Sequence, residues 1–225
     1  DPLRKLEYGV VTAPLIRFLA DVLVNIIFIA LNPKPHTKRY HEAGWRELKE
    51  ALDGLRKRRG KSRNWATTIL RREEQLERLR VNFRISKSKK KDSKRIKYWP
   101  YTSQILKHPK VPPRTKKFLA LLEDWFYKEL SQDSHMSSAG AARLYSKLLL
   151  TEEEGRETEF ARVKSINIVM AVALTLAICT ELNKIGRFDR QNRLSYLWGI
   201  MIQNREESRD LYNMRYRRML EIEFR

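Results

Sequence analysis

The sequence has a single cysteine, Cys179, in 225 residues. No intrachain disulfide is possible, and a reducing, cytoplasmic setting is expected. Cys179 stands among Ala, Ile and Leu, where burial raises a thiol's pKa, so an inert core position is expected rather than a nucleophile. Glycine and proline are scarce, at eight each. There is no glycine-rich phosphate loop, no strand-like alternation and no internal repeat. The four histidines, the cysteine and the carboxylates form no pair with a recognised metal-ligand spacing, so neither a metal nor another cofactor is expected. The chain opens at Asp1 without Met, which suits numbering that starts inside a longer protein.

Long uncharged runs are also short. Residues 15–31, LIRFLADVLVNIIFIAL, contain Arg17, Asp21 and Asn25, each costly in lipid. The run 166–179, INIVMAVALTLAIC, is shorter than the ~20 residues that a membrane span needs. Both are expected as buried core helices, and no membrane partner is expected.

Positive charge is what the sequence has in excess. Lys+Arg number 47 against 27 Asp+Glu, a formal net charge of +20. Residues 34–98 hold 23 Lys/Arg against 8 Asp/Glu, so +15 of that charge lies in one stretch. A localised excess of this size repels itself and calls for a polyanionic partner.

Helical periodicity dominates. Thr12 is placed to cap a helix with Pro14 just inside its start, and Asn32-Pro33 stops it. Residues 37–58 carry a seam of Tyr40, Leu48, Leu52 and Leu55; Gly60 ends it. Residues 63–83 carry Trp65, Ile69, Leu76, Leu79 and Phe83 at three- and four-residue steps, with Glu73, Glu74 and Glu77 set for intrahelix ion pairs. These two segments predict a basic helical hairpin, followed by the run RISKSKKKDSKRIK at 84–97, which has no apolar period. Residues 98–114 read as irregular, 114–134 as a helix, 151–159 as an acidic loop, and 160–185 and 189–222 as two long helices. The fold class predicted is all-α: a helical bundle core from 1–33 and 98–225, with a basic hairpin and Lys-rich loop at 34–97 inserted in it.

Two polar stripes stand out. Arg17, Asp21 and Asn25 are four apart on an otherwise apolar helix; Tyr127, Ser131 and His135 are four apart on another. Buried ions and amides need partners, so the two stripes are expected to meet. There His135 would act as general acid or base, or would tie a helix end to Asp21. Phosphate contacts are expected from Arg56, Lys57, Arg58, Arg59, Lys61 and Arg63, and from Lys87, Lys89, Lys90, Lys91, Lys94, Arg95 and Lys97. Tyr98, Trp99 and Tyr101 are the aromatics placed to stack bases, while His36 and His41 face solvent or phosphate.

LIRFLADVLVNIIFIALNP followed far downstream by WFYKELSQDSHMSSAG resembles domain of unknown function family 5677, a group of mostly bacterial helical proteins. The resemblance covers about residues 10–150 and places Arg17, Tyr127, Ser131 and His135 at the family's pattern, with Asp21 where Glu is more usual. It implies an effector or accessory role in antiphage or toxin-like systems, and a loose likeness to HEPN ribonuclease bundles. The HEPN pattern of Arg, four residues, then His is absent: Leu31, His36, Ser103 and Leu130 precede His36, His41, His108 and His135 by five. The reading is a nucleic-acid-binding helical protein acting on RNA or single-stranded DNA through 34–101, with a protein partner in a larger complex conceivable. The alternatives are metal-independent RNA cleavage, with His135 deprotonating a 2′-hydroxyl and Arg17 stabilising the phosphorane, and a non-catalytic scaffold subunit.

Overall fold

The computed structural model describes residues 2–86, 88, 93–128 and 153–220. The protein is all-α, with no strand among the described residues. The helices are α1 (Pro2–Leu31), α2 (Pro33–Arg59), α3 (Arg63–Asn82), α4 (Thr102–Lys107), α5 (Pro113–Leu122), α6 (Glu153–Gly186), α7 (Gln191–Asn204), α8 (Glu206–Leu211) and α9 (Arg217–Leu220). Two π-helical segments, Glu123–Lys128 and Tyr212–Tyr216, extend α5 and join α8 to α9. The chain divides into two compact units. A bundle unit comprises Asp1–Leu31 and Thr102–Arg225; a hairpin unit comprises Asn32–Tyr101.

In the bundle unit, α1 packs along α6. Ile16, Ala20, Leu23, Val24, Ile27 and Phe28 recur at three- and four-residue steps and form the buried face of α1. α1 begins at Pro2, not at Thr12, and runs through Pro14, which supplies no N–H to the helix. Thr12 has another use: its hydroxyl accepts a 2.7 Å hydrogen bond from Asn167 Nδ2 of α6. Neither α1 nor α6 is buried all round. Pro14–Leu31 and Lys164–Gly186 are long and apolar enough to cross a membrane, with mean hydropathies of 2.1 and 1.9, and 33% and 39% of those windows are buried. The apolar run at 166–179 therefore belongs to a helix longer than its own length suggested.

Other boundaries differ from expectation for local reasons. Helix α6 starts at Glu153 inside the expected acidic loop, and acids suit the positive end of a helix dipole. Cys179 is exposed, not core. The buried stripe of α6 runs through Ala173, Leu174, Ala177, Thr180 and Glu181, and Cys179 lies on the opposite side. The expected helix 189–222 breaks at Arg205, which is extended (φ −145°, ψ 116°). Arg209 Nε then donates to the Ile202 carbonyl at 2.8 Å, satisfying the end of α7. The stretch 98–114 contains the short helix α4, which buries Ile105.

In the hairpin unit, α2 and α3 pair through the turn at Gly60–Ser62. A Cβ on Gly60 would stand 2.5 Å from the Arg56 carbonyl oxygen, so the turn needs glycine. The core is Trp45, Leu52, Leu55, Ile69 and Leu76, closed by Ile85 and Ile96, with Leu79 and Phe83 against it. Trp45 Nε1 donates to the Leu76 carbonyl at 3.0 Å. Tyr40, Leu48 and Trp65 are exposed, not seam residues. The buried stripe on α2 is 45–52–55; Tyr40 lies off it, whereas Leu48 shares it by spacing and is exposed nonetheless. Helix α3 ends in a Schellman motif: Ile85 N–H bonds Arg80 O at 3.0 Å and Arg84 N–H bonds Val81 O at 3.1 Å. Arg84 takes the left-handed conformation (φ 53°) usually given to glycine, and the turn delivers Ile85 into the core. Ile96, after the 3-10 turn Ser93–Arg95, is 1% exposed. The lysine-rich run is thus bracketed by two buried isoleucines.

Candidate functional site

Arg17, Asp21 and Asn25 lie half-buried on α1. The segment Glu123–Lys128, which carries the Tyr127 backbone, packs against α1. It is π-helical, so its wider turn shifts the register expected from a continuous α-helix. The Tyr127 side chain, Ser131 and His135 lie outside the described residues, and so does the expected meeting of the two stripes. Among the described residues no group of three or more His, Cys, Asp or Glu could hold a metal ion.

The bundle unit holds a buried polar cluster that sequence reading missed. Glu181 is 1% exposed, and Arg215 Nε and Nη2 donate to its two carboxylate oxygens, the second at 3.2 Å. Arg215 Nη1 reaches Thr115 Oγ1 at 3.4 Å, and its guanidinium lies 5.4 Å from the centre of the Phe118 ring. Burial works to lower the Arg215 pKa, but the hydrogen bond and charge of Glu181 outweigh it and hold the guanidinium above its ordinary value. Tyr216 is fully buried, stacked on Trp198 with centroids 5.2 Å apart and edge-on to Phe118 at 5.7 Å. Burial first, then the Glu181 carboxylate, pushes its phenol well above the usual range. Trp198 Nε1 donates to Thr180 Oγ1 at 3.1 Å, so this side of the core is tied by hydrogen bonds as well as packing. The signal was available: Glu181 is the only charge between Ser165 and Asn183. Its partner lies 34 residues away and had no sequence mark.

In the hairpin unit the acids and cations divide unevenly. Lys49 pairs with Asp53 at 2.6 Å and Arg80 with Glu77 at 2.7 Å. Glu73 does not pair within α3; it binds Arg56 of α2 at 2.5 Å, stapling the hairpin. Arg46 forms a clasp. Its Nε donates to Glu50 at 2.7 Å, its Nη1 to the Ile96 carbonyl, and its guanidinium lies 3.6 Å from the centre of the Tyr98 ring. Tyr98 donates to the same Glu50 carboxylate at 2.8 Å. The Arg46 hydrogen bond, with help from Tyr98, holds Glu50 below the usual carboxylate range, and Glu50 in turn raises the Tyr98 phenol.

Those contacts separate structural cations from available ones. Arg56 is taken up by Glu73. Lys57, Arg58, Arg59, Lys61 and Arg63, all exposed, flank the turn between α2 and α3 and have no acidic partner among the described residues. Lys97 is exposed beyond Ile96, Lys94 and Arg95 sit in the 3-10 turn, and Lys87, Lys89, Lys90 and Lys91 lie outside the described residues. The aromatics sort likewise. Tyr98 is held by the clasp and Trp99 lies edge-on to Tyr40 at 4.9 Å, whereas Trp65 is exposed two residues after Arg63; Tyr101 is 76% exposed. His41 does not face phosphate but stacks on Phe83 at 4.1 Å.

The geometry defines an all-α chain in which a basic helical hairpin interrupts a bundle. A model for the family of unknown function DUF5677 matches residues 4–155, which include the whole hairpin unit, and the chain belongs to that family. No curated protein and no solved structure matches it significantly.

Proposed function

We propose that the hairpin unit binds nucleic acid, RNA ahead of DNA, through the cations around the α2–α3 turn. The observation that carries this reading is the cluster Lys57, Arg58, Arg59, Lys61 and Arg63, which has no acidic partner among the described residues. Nearby acids are already committed to other cations: Glu50 to Arg46, Asp53 to Lys49 and Glu73 to Arg56. A phosphate backbone supplies the missing counter-charges at a spacing that flexible Lys and Arg side chains can follow. Trp65 beside the turn offers a ring face on which an unpaired base stacks, which favours single-stranded segments.

The test is fluorescence anisotropy of the full chain with labelled single-stranded RNA at fixed salt. Alanine at Lys57, Arg58, Arg59, Lys61 and Arg63 together is expected to weaken binding by more than tenfold. Alanine at Arg71, Arg72 and Arg78, exposed on α3 away from the turn, is expected to cost much less. Equal losses in the two sets would remove the turn from the interface.

A further inference from the structure

We propose that the outward face of α6 pairs with the same face of a second copy of this chain, antiparallel about Thr175 and Cys179, to form a two-fold dimer. The face is Ile168, Val172, Thr175, Cys179, Leu182 and Ile185. Ile168 and Val172 are 54% and 48% exposed, Leu182 and Ile185 are 43% and 45% exposed, and Thr175 and Cys179 between them are also exposed. From 168 to 182 the steps are four, three, four and three. These steps set the exposed positions on one side of the helix, the spacing by which one helix packs along another. The other side of α6 is already filled by α1 and α7.

Two features choose a second copy. The only charge on α6 between Ser165 and Asn183 is Glu181, which is buried and paired with Arg215. The outward face therefore sets no charge against its own copy, although the chain carries +20, and offers none by which a different partner would be selected. The order of side chains is also symmetric: two bulky residues, two small ones, two bulky ones. In an antiparallel pairing Val172 meets Leu182, Ile168 meets Ile185, and Thr175 meets Cys179 where the helices approach most closely, so each contact occurs twice, as a two-fold interface requires. The stripe is about 27 Å long and about 10 Å wide, less than the ~800 Å² per partner of a stable interface. Helix α7, packed beside α6, exposes Tyr196, Leu197 and Ile200 and adds apolar area.

The experiment is sedimentation equilibrium on nucleic-acid-free full chain, with crosslinking at the lone cysteine. Wild type is expected to be a dimer at micromolar concentration. Val172→Glu and Leu182→Glu, at exposed positions that fold with unchanged helical circular dichroism, are expected to raise its dissociation constant roughly a hundredfold or more, because each buries an unpaired charge at the interface. With diamide as two-electron oxidant, two thiols lose two protons and two electrons to form one disulfide. Thr175→Cys is expected to give a covalent dimer with the partner's Cys179 much faster than wild type does. A monomeric wild type, including one that partitions onto lipid vesicles instead, would overturn the proposal. So would a dimer that survives both glutamates, or a wild type that crosslinks as fast as Thr175→Cys, which marks parallel pairing.

Discussion

At the scale of single residues, the protein sets its charges apart by use. Arg215 and Glu181 are buried together, Arg46 and Glu50 close a clasp at the surface, and Lys57 to Arg63 are left to solvent. A buried pair is costly to break from one side. Arg215→Ala strands Glu181 as an unpaired carboxylate and is expected to destabilise the bundle by about 3–5 kcal/mol. Replacing the pair together, Glu181→Leu with Arg215→Met, removes both desolvation costs and should recover most of that loss. Urea unfolding of the two variants checks this; equal losses would show that the ion pair is not what couples α6 to the segment Tyr212–Tyr216. Burial of this kind was half legible. Glu181 stands alone in an apolar run, whereas Arg215 sits in a basic stretch where nothing distinguishes it from Arg217 or Arg218. Cys179 teaches the converse lesson. Its apolar neighbours say that the helix is core-forming, but not which side of it faces the core.

At the scale of elements, two signals borne by proline and glycine were readable, although Pro14 marked no helix start. Asn32-Pro33 separates α1 from α2, and Gly60 ends α2 where any side chain would meet the Arg56 carbonyl. At the end of α3 the boundary was expected at 83, where the helix does stop, but the turn that follows it carried no such signal. Arg84 occupies a left-handed cap position that glycine usually marks, so the turn sending Ile85 into the hairpin core had no sequence flag. The conformation costs an L-residue about 1–2 kcal/mol, partly offset by the greater chain entropy that glycine loses on folding. Arg84→Gly is therefore expected to stabilise the hairpin unit by about 0.5–1 kcal/mol, read as a rise in the thermal midpoint followed by helical circular dichroism. An unchanged or lowered midpoint would contradict the strain assigned to this cap. The π-helical turns at Glu123–Lys128 and Tyr212–Tyr216 have no comparable pattern, because an inserted residue changes register without changing composition. The first of these shifts Tyr127 out of the register expected from α5, while Ser131 and His135 lie outside the described residues.

At the scale of the whole molecule, the charge asymmetry is the strongest property visible in the sequence, with +15 of +20 between residues 34 and 98. Composition located that excess but not the cations left available within it. Arg56, placed beside Lys57 in the sequence, staples α2 to α3 through Glu73, and Tyr98, beside Trp99, is held under Arg46. Only the folded hairpin separates these from the residues around its turn. The measurement that tests the central claim most directly is the affinity of the full chain for single-stranded RNA as a function of salt. If about six phosphates are neutralised, log affinity should fall linearly with log salt at a slope of about −4, a loss of several hundredfold between 50 and 200 mM. Alanine at the five turn cations should flatten that slope by up to about 3.5. An affinity indifferent to salt, or a slope that these five substitutions leave unchanged, would contradict the assignment of this hairpin as a phosphate-binding module.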